Sequence, residues 1–384
     1  MKKYLLSLAL LGAYSLNAQS LGETVEKLGQ SADINLYLRS ALEMNSNESV
    51  ANGIKVNEAR LEIMGDATEN LSYRFRARMN RTVAAGTQDN APSSIDYAYI
   101  TYKFGEDKKW STTVGKQMNN FGSWEFYDNP TFDYQYSDYV NKQQNLFPVG
   151  LQVSYQATPK HSFHLQAFNA MNDAFGTIHS KTLYDTNGLE ASKTPFGLNL
   201  TWKGKMFEDK FQTIYTVTTS QVAKGENNFQ VSLGNKVVLD KFTGVVDVSH
   251  TNMAVDYVNM ISPSVNGYYL AQNPRYVNVY AKDLVFQTLA FRFNYAVTPK
   301  WHIAAKTVFE RIGDKNKMDL GKNLSTNNVN YLGLEFKPFD NQDFKLFGYY
   351  AHFHTKYNEN FRAYTPNFQN NMIAIGALWY LNVL

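Results

Sequence analysis

Residues 71–79 read Leu-Ser-Tyr-Arg-Phe-Arg-Ala-Arg-Met, so the odd positions are apolar while the even ones are Ser72 and then Arg74, Arg76 and Arg78. Successive side chains of an extended chain point to opposite faces, and a period of two is therefore the signature of a strand. One face of this strand is greasy and the other strongly cationic. The pattern recurs from Ala32 to the C-terminus, predicting sixteen strands near residues 32–43, 54–66, 71–81, 95–104, 110–118, 149–157, 162–170, 196–203, 211–220, 229–239, 242–250, 284–297, 301–311, 329–337, 344–356 and 372–383.

The connections constrain the fold further. Tight turns at 66–70, 105–109, 158–160, 203–210, 239–241, 298–300 and 338–343 alternate with long polar loops at 44–53, 82–94, 119–148, 171–195, 221–228, 251–283, 312–328 and 358–371. A soluble β-sandwich has turns of mixed length at both ends. Short turns on one rim, long loops on the other and both chain ends on the short rim describe a sixteen-stranded antiparallel transmembrane β-barrel with periplasmic turns and extracellular loops. The expected class is therefore all-β, in contact with outer-membrane lipid.

Composition agrees where it speaks. The chain holds 37 Lys and Arg against 34 Asp and Glu, too even a balance for electrostatic capture of nucleic acid. Having no cysteine, it has no disulfide framework, Cys-ligated metal or thiol nucleophile. Aromatic residues make up 15% of the chain beside a mean hydropathy of −0.40, and no segment reaches the ~18 continuous apolar residues of a helical span.

Residues 1–18 carry Lys2 and Lys3, an apolar run from Leu5 to Ala13 and small residues ending at Ala18, the order of a secretory signal peptide. Residues 19–31 are expected to form a short periplasmic segment, with Leu21, Val25 and Leu28 at helical spacing, and residues 32–384 the barrel.

Facing Arg74, Arg76 and Arg78 toward lipid would cost ~2–4 kcal/mol each near the midplane. They are therefore assigned to the lumen, with Leu71, Tyr73, Phe75, Ala77 and Met79 on lipid. The same alternation puts Arg39 and Arg60 on this inner wall, and Arg292 and Lys306 on the lumen farther along the chain. A sixteen-stranded barrel is wide enough for an aqueous channel. Glu43, Glu58 and Glu62 alternate onto the same surface, which leaves two readings: a salt-bridged wall without selectivity, or an electrostatic guide for anionic solutes.

Residues 119–148 carry Phe121, Trp124, Phe126, Tyr127, Phe132, Tyr134, Tyr136, Tyr139 and Phe147, too many rings for a loop that merely extends into water. Folded inward, the segment becomes a constriction loop whose Glu125, Asp128, Asp133 and Asp138 are expected opposite the arginine wall, with Lys142 its only base. The alternative is a loop lying across a neighbouring subunit.

The run Val56-Asn57-Glu58-Ala59-Arg60-Leu61-Glu62-Ile63-Met64-Gly65, then Leu71-Ser72-Tyr73-Arg74-Phe75-Arg76 and Ile95-Asp96-Tyr97-Ala98-Tyr99-Ile100, resembles the opening strands of the phosphate-selective porins O and P. Val114-Gly115-Lys116-Gln117, Phe121-Gly122 and the stretch 125–130 fit the same pattern. The resemblance covers about the first third of the chain closely and the rest in architecture. It implies a Gram-negative outer-membrane porin, commonly a homotrimer, with an arginine-lined path and an inward third loop. The loop's lack of arginine departs from a dedicated phosphate filter. Passive diffusion of small hydrophilic solutes with anion preference is therefore expected, with phosphate as the narrower hypothesis.

His352 and His354 fall on one side of a predicted strand, expected to be the polar lumen, and two ligands make a poor metal site. No catalytic motif is present, so no catalytic residue, metal or cofactor is assigned. A plugged adhesin or scaffold barrel, or an enzymatic one, is the alternative.

Overall fold

A computed structural model describes residues 32–82, 91–128, 133–316 and 320–383. The expected leader and periplasmic segment over 1–31, together with Phe132 and Leu384, lie outside the described residues.

Sixteen antiparallel strands form a closed barrel: β1 (Ala32–Asn45), β2 (Gly53–Thr68), β3 (Leu71–Arg78), β4 (Ile95–Phe104), β5 (Trp110–Lys116), β6 (Val149–Thr158), β7 (His161–Asn169), β8 (Phe196–Met206), β9 (Phe211–Ala223), β10 (Glu226–Val238), β11 (Phe242–Val255), β12 (Lys282–Ala296), β13 (Trp301–Asp314), β14 (Asn323–Phe336), β15 (Asp343–Tyr357) and β16 (Phe368–Asn382). Each pairs with its sequence neighbours, and β1 closes on β16 from Asn35 opposite Asn382 to Asn45 opposite Met372. Closure satisfies the ladder without an open edge, a requirement in hydrocarbon where water supplies no partners.

The outer face carries exposed Leu198, Leu200, Val217, Phe291, Leu332 and Ile375. Trp110, Trp301 and Trp379 lie at the short-turn ends of their strands, and Trp202 lies near the short-turn end of β8, where ring contacts such as Trp110 with Tyr155 at 4.6 Å form an interfacial girdle.

Several strands continue farther into the long-loop side than the alternation predicts. β14 begins at Asn323 rather than near 329, and β11 runs to Val255 rather than 250. Above the membrane both faces meet water, so polar residues replace the alternation without ending the ladder.

The long loops over the β11–β15 side pack as a roof. The helix α3 (Ser262–Gln272), numbered after α1 (Trp124–Tyr127) and α2 (Phe175–Ser180), joins a buried cluster that includes Ile261, Val265, Leu320, Leu324 and Phe361. Asp256 accepts main-chain N–H groups from Met260, Ile261 and Ser262 at 2.8–3.0 Å, and burial raises its pKa above the ordinary aspartate value.

Candidate functional site: the arginine wall and the inward loop

The loop after β5 turns into the lumen rather than outward. Gly115, still paired with Tyr99 and Gly150 one residue before β5 ends, has φ +125°, and an added Cβ would lie 2.3 Å from the Ala98 carbonyl oxygen. Gly122, at φ +83°, lies so close to the wall that a Cβ would meet the Ser232 and Thr216 side chains at 2.9 and 3.0 Å. A side chain at either position is strained by backbone and by contact.

Two wall carboxylates hold the loop main chain. Asp247 on β11 accepts from Ser123 Oγ at 2.7 Å, the Trp124 N–H at 3.1 Å and the Glu125 N–H at 2.9 Å, which caps the start of α1. Glu310 on β13 accepts the N–H groups of Asp138 and Tyr139 at 2.9 and 2.8 Å. The rings then find cores of their own. Tyr134 packs among Tyr331, Phe347 and Tyr349 and donates to Glu335, while Phe121 stacks on Phe126 at 5.1 Å. The buried Tyr139 hydroxyl donates to the Phe121 carbonyl at 2.9 Å, and burial holds its proton well above the usual tyrosine range.

The loop carboxylates do not face the arginine wall, as their sequence position suggested. Glu125 and Asp133 bind Lys306 on β13 at 2.6 and 2.7 Å. Asp128 binds Arg292 on β12 at 2.5 Å and Lys236 on β10 at 2.6 Å. Asp138 pairs with Lys142 at 2.9 Å. Lys306, expected as pore-lining, is instead covered by the loop with its side chain 1% exposed, whereas Arg292, though held by Asp128, lines a second cavity of about 260 Å³ with Lys236, Asn294 and Glu335. The physical reason is desolvation: carboxylates pressed against a wall need opposite charge at contact distance, and these three bases supply it.

The arginines of the first strands form a second charge system. Glu58 binds Arg60 at 2.7 Å and Arg39 at 3.7 Å, and Arg39 also donates to the Asp133 carbonyl at 2.9 Å. Glu62 binds Arg74 at 2.7 Å and accepts from Tyr37. Asp96 lies within 3.3 Å of Arg60, 3.1 Å of Arg76 and 2.9 Å of Arg78. Simple alternation would put Asp96 on the lipid side of Tyr97, but a bulge opposite Arg76 and Ala77 brings both inward. Tyr97 then lies under the guanidinium groups of Arg76 and Arg74, at 4.0 and 4.5 Å. Five guanidinium groups thus meet three carboxylates, and the excess is cationic.

Between this wall and the loop lies a cavity of about 430 Å³. It is lined by Glu58, Arg74, Arg76, Arg78 and Lys203 on the barrel wall, by Arg81 just past the end of β3, and by Phe126, Tyr127, Tyr136 and Asn141 on the loop side. Arg74 is the most open member of the ladder, its side chain 31% exposed against 11% for Arg78 and 4% for Arg76.

Asp247, Glu310, Glu335, Lys236, Asp96, Arg81 and Lys203 were not singled out from sequence. Inward parity on the predicted strands could have flagged Asp247, Glu310 and Glu335; the bulge at Asp96 has no local signal.

His352 and His354 do not face the lumen. Phe347, Tyr349 and Ala351 take the inner face of β15, while Leu346 and Tyr350 are exposed outside, and the histidines share that outer parity. His352 Nδ1 lies 2.8 Å from Asn371 Oδ1. Among the described residues no group of three or more His, Asp or Glu side chains is gathered for a metal.

A closed sixteen-stranded barrel with an inward loop and polar lumen is the architecture of outer-membrane porins, and three solved porins and channels share it. The DcaP channel of Acinetobacter baumannii is 12% identical, with a TM-score of 0.58 over 92% of this chain and 98% of that one. The anion-selective porin of Comamonas acidovorans is 7% identical, at 0.57 over 91% and 99%. The trimer form of Vibrio cholerae OmpT is 12% identical, at 0.54 over 91% and 99%. No curated protein matches the sequence. The pattern of the phosphate-selective porin O and P family matches residues 36–380, and the chain belongs to that family. It is an outer-membrane channel of a Gram-negative bacterium.

Proposed function

We propose that the channel admits small hydrophilic solutes by passive diffusion, without catalysis, and prefers anions along the passage beside β2–β4. One observation carries this reading: the loop carboxylates are neutralised by Lys236, Arg292 and Lys306 on the opposite side, so Arg74, Arg78, Arg81 and Lys203 are left to set the field of the cavity. A dedicated phosphate filter is the weaker reading. The described loop residues contain no arginine, and Lys142 is engaged by Asp138.

Stable ohmic steps in potassium chloride test the passive channel. Exchanging chloride for a bulky sulfonate should cut the current strongly, and exchanging potassium for a bulky cation should cut it little. A plugged or enzymatic barrel gives no stable conductance.

We further propose that residues 1–18 direct export and are removed, that residues 19–31 stay periplasmic, and that the barrel assembles as a homotrimer. An outward polar belt on β13–β16 supports assembly. Thr307 pairs with Asn330, and His352 with Asn371, on the face that carries exposed Leu332 and Ile373. Polar groups at this level are costly beside acyl chains and are covered at lower cost by a neighbouring copy. Cross-linking of the native protein through its lysines with a bifunctional amine reagent in native membranes is expected to give dimers and trimers; monomers alone would contradict it.

A further inference from the structure

We propose that the solutes best matched to the arginine-lined cavity are anionic sugars, each a hydroxylated ring bearing one carboxylate or phosphate group. The proposal rests on the anion reading above and narrows its substrate class.

The two sides of the cavity differ in chemistry. Its cations belong to the barrel wall and, at Arg81, to the connection just past β3. The loop opposite presents Phe126, Tyr127, Tyr136 and Asn141, and no base. Inorganic phosphate, charged all round, would meet cations on one side only and rings on the other. A solute touching both sides needs its charge at one end and a partly apolar, hydroxylated body at the other.

Tyr127 is the platform for that body. It is 41% exposed, and its ring is braced edge-on by Trp124 at 5.5 Å. Lys203 Nζ stands over one face of the ring, 4.3 Å from the centroid and 3.3 Å from the hydroxyl, so that face already carries a cation and a sugar ring is left the other. The C–H face of a sugar ring packs on such a surface while an acidic substituent reaches Lys203 or Arg74. Exposed Asn141, with Gln152 and Thr101, supplies neutral hydrogen-bonding groups suited to hydroxyls. An aryl acid would use the rings and leave the amides without a match; inorganic phosphate would use neither. The cavity volume of about 430 Å³ lies in the range of ~300–1,000 Å³ that holds small ligands.

The test is block of chloride current through the purified full-length protein in planar bilayers. Glucuronate, glucose 6-phosphate, glucose and inorganic phosphate are added in turn. At least one acidic sugar should half-block at a concentration about tenfold below both glucose and phosphate. Activity of only one identifies carboxylate or phosphate as the preferred acid. Tyr127→Ala should raise the half-blocking concentration of that sugar several-fold relative to phosphate, with Tyr127→Phe restoring most of the difference. Asn141→Ala, at an exposed position, should shift the same ratio. Equal block by phosphate or by neutral glucose would overturn the proposal, as would a Tyr127→Ala change common to every solute. These results would leave chloride preference standing, whereas cation-selective current would remove the anion reading itself.

Discussion

Lys306 on β13 and Asp133 in the inward loop meet at 2.7 Å, with side chains 1% and 0% exposed, and the same ammonium group binds Glu125. Lys306 is thus the latch that joins the two arms of the loop to the far wall. Lys306→Met would leave Glu125 buried beside no base and Asp133 with only Arg292, at 3.6 Å, at a cost of ~3–5 kcal/mol to the seated loop. Single-channel recordings should then show larger, noisier conductance in a barrel that still runs as folded protein on unheated gels. Unaltered conductance would mean that the latch is dispensable.

Asp96 serves three guanidinium groups, so Asp96→Asn strips Arg60, Arg76 and Arg78 of their shared counter-charge. Destabilisation of ~3–5 kcal/mol is expected, read as a lower temperature for loss of the folded gel band. In the folded fraction the wall is more positive, and chloride permeability relative to potassium should rise.

Arg74 and Arg76 stand two residues apart and are expected to behave differently. Arg74 is partly open to the cavity and its partner Glu62 keeps Arg76 at 3.9 Å and the Tyr37 hydroxyl, so Arg74→Gln should lower anion preference at a smaller cost in stability than the Arg76 change. Arg76 is buried between Tyr97, Asp96 and Glu62, and Arg76→Gln should cost ~3–5 kcal/mol. Thermal melting of both variants, set against their zero-current potentials, separates the roles.

Tyr139 predicts an alkaline transition. Its native pKa is raised above that of the unfolded chain, so its contribution to loop stability is fully present below the ordinary tyrosine value of ~10 and is lost as pH rises from there toward the native value. Current noise should stay flat from pH ~7 to ~9 and grow above ~10. Tyr139→Phe should lack that rise.

The barrel was legible wherever lipid and water imposed opposite demands on alternate residues. Leu71 to Met79 shows this most clearly, and strand number and turn order follow from the same pattern. The pattern misled on β15, where Tyr134 of the loop draws Phe347 and Tyr349 inward and sends His352 and His354 to the outside. It could not give the partners of the loop carboxylates either. Glu125 and Lys306 lie 181 positions apart, and such a meeting depends on where the loop lands inside the cylinder. Asp96 escaped because one extra residue at a bulge reverses a side chain without changing the local sequence pattern.

The zero-current potential across a bilayer under a potassium chloride gradient bears most directly on the arginine-lined passage. The native protein should give the sign set by chloride movement, and Arg74→Glu should shift it markedly toward the potassium side. A native channel selective for potassium, or a potential indifferent to reversal of charge at Arg74, would contradict a passage governed by this wall.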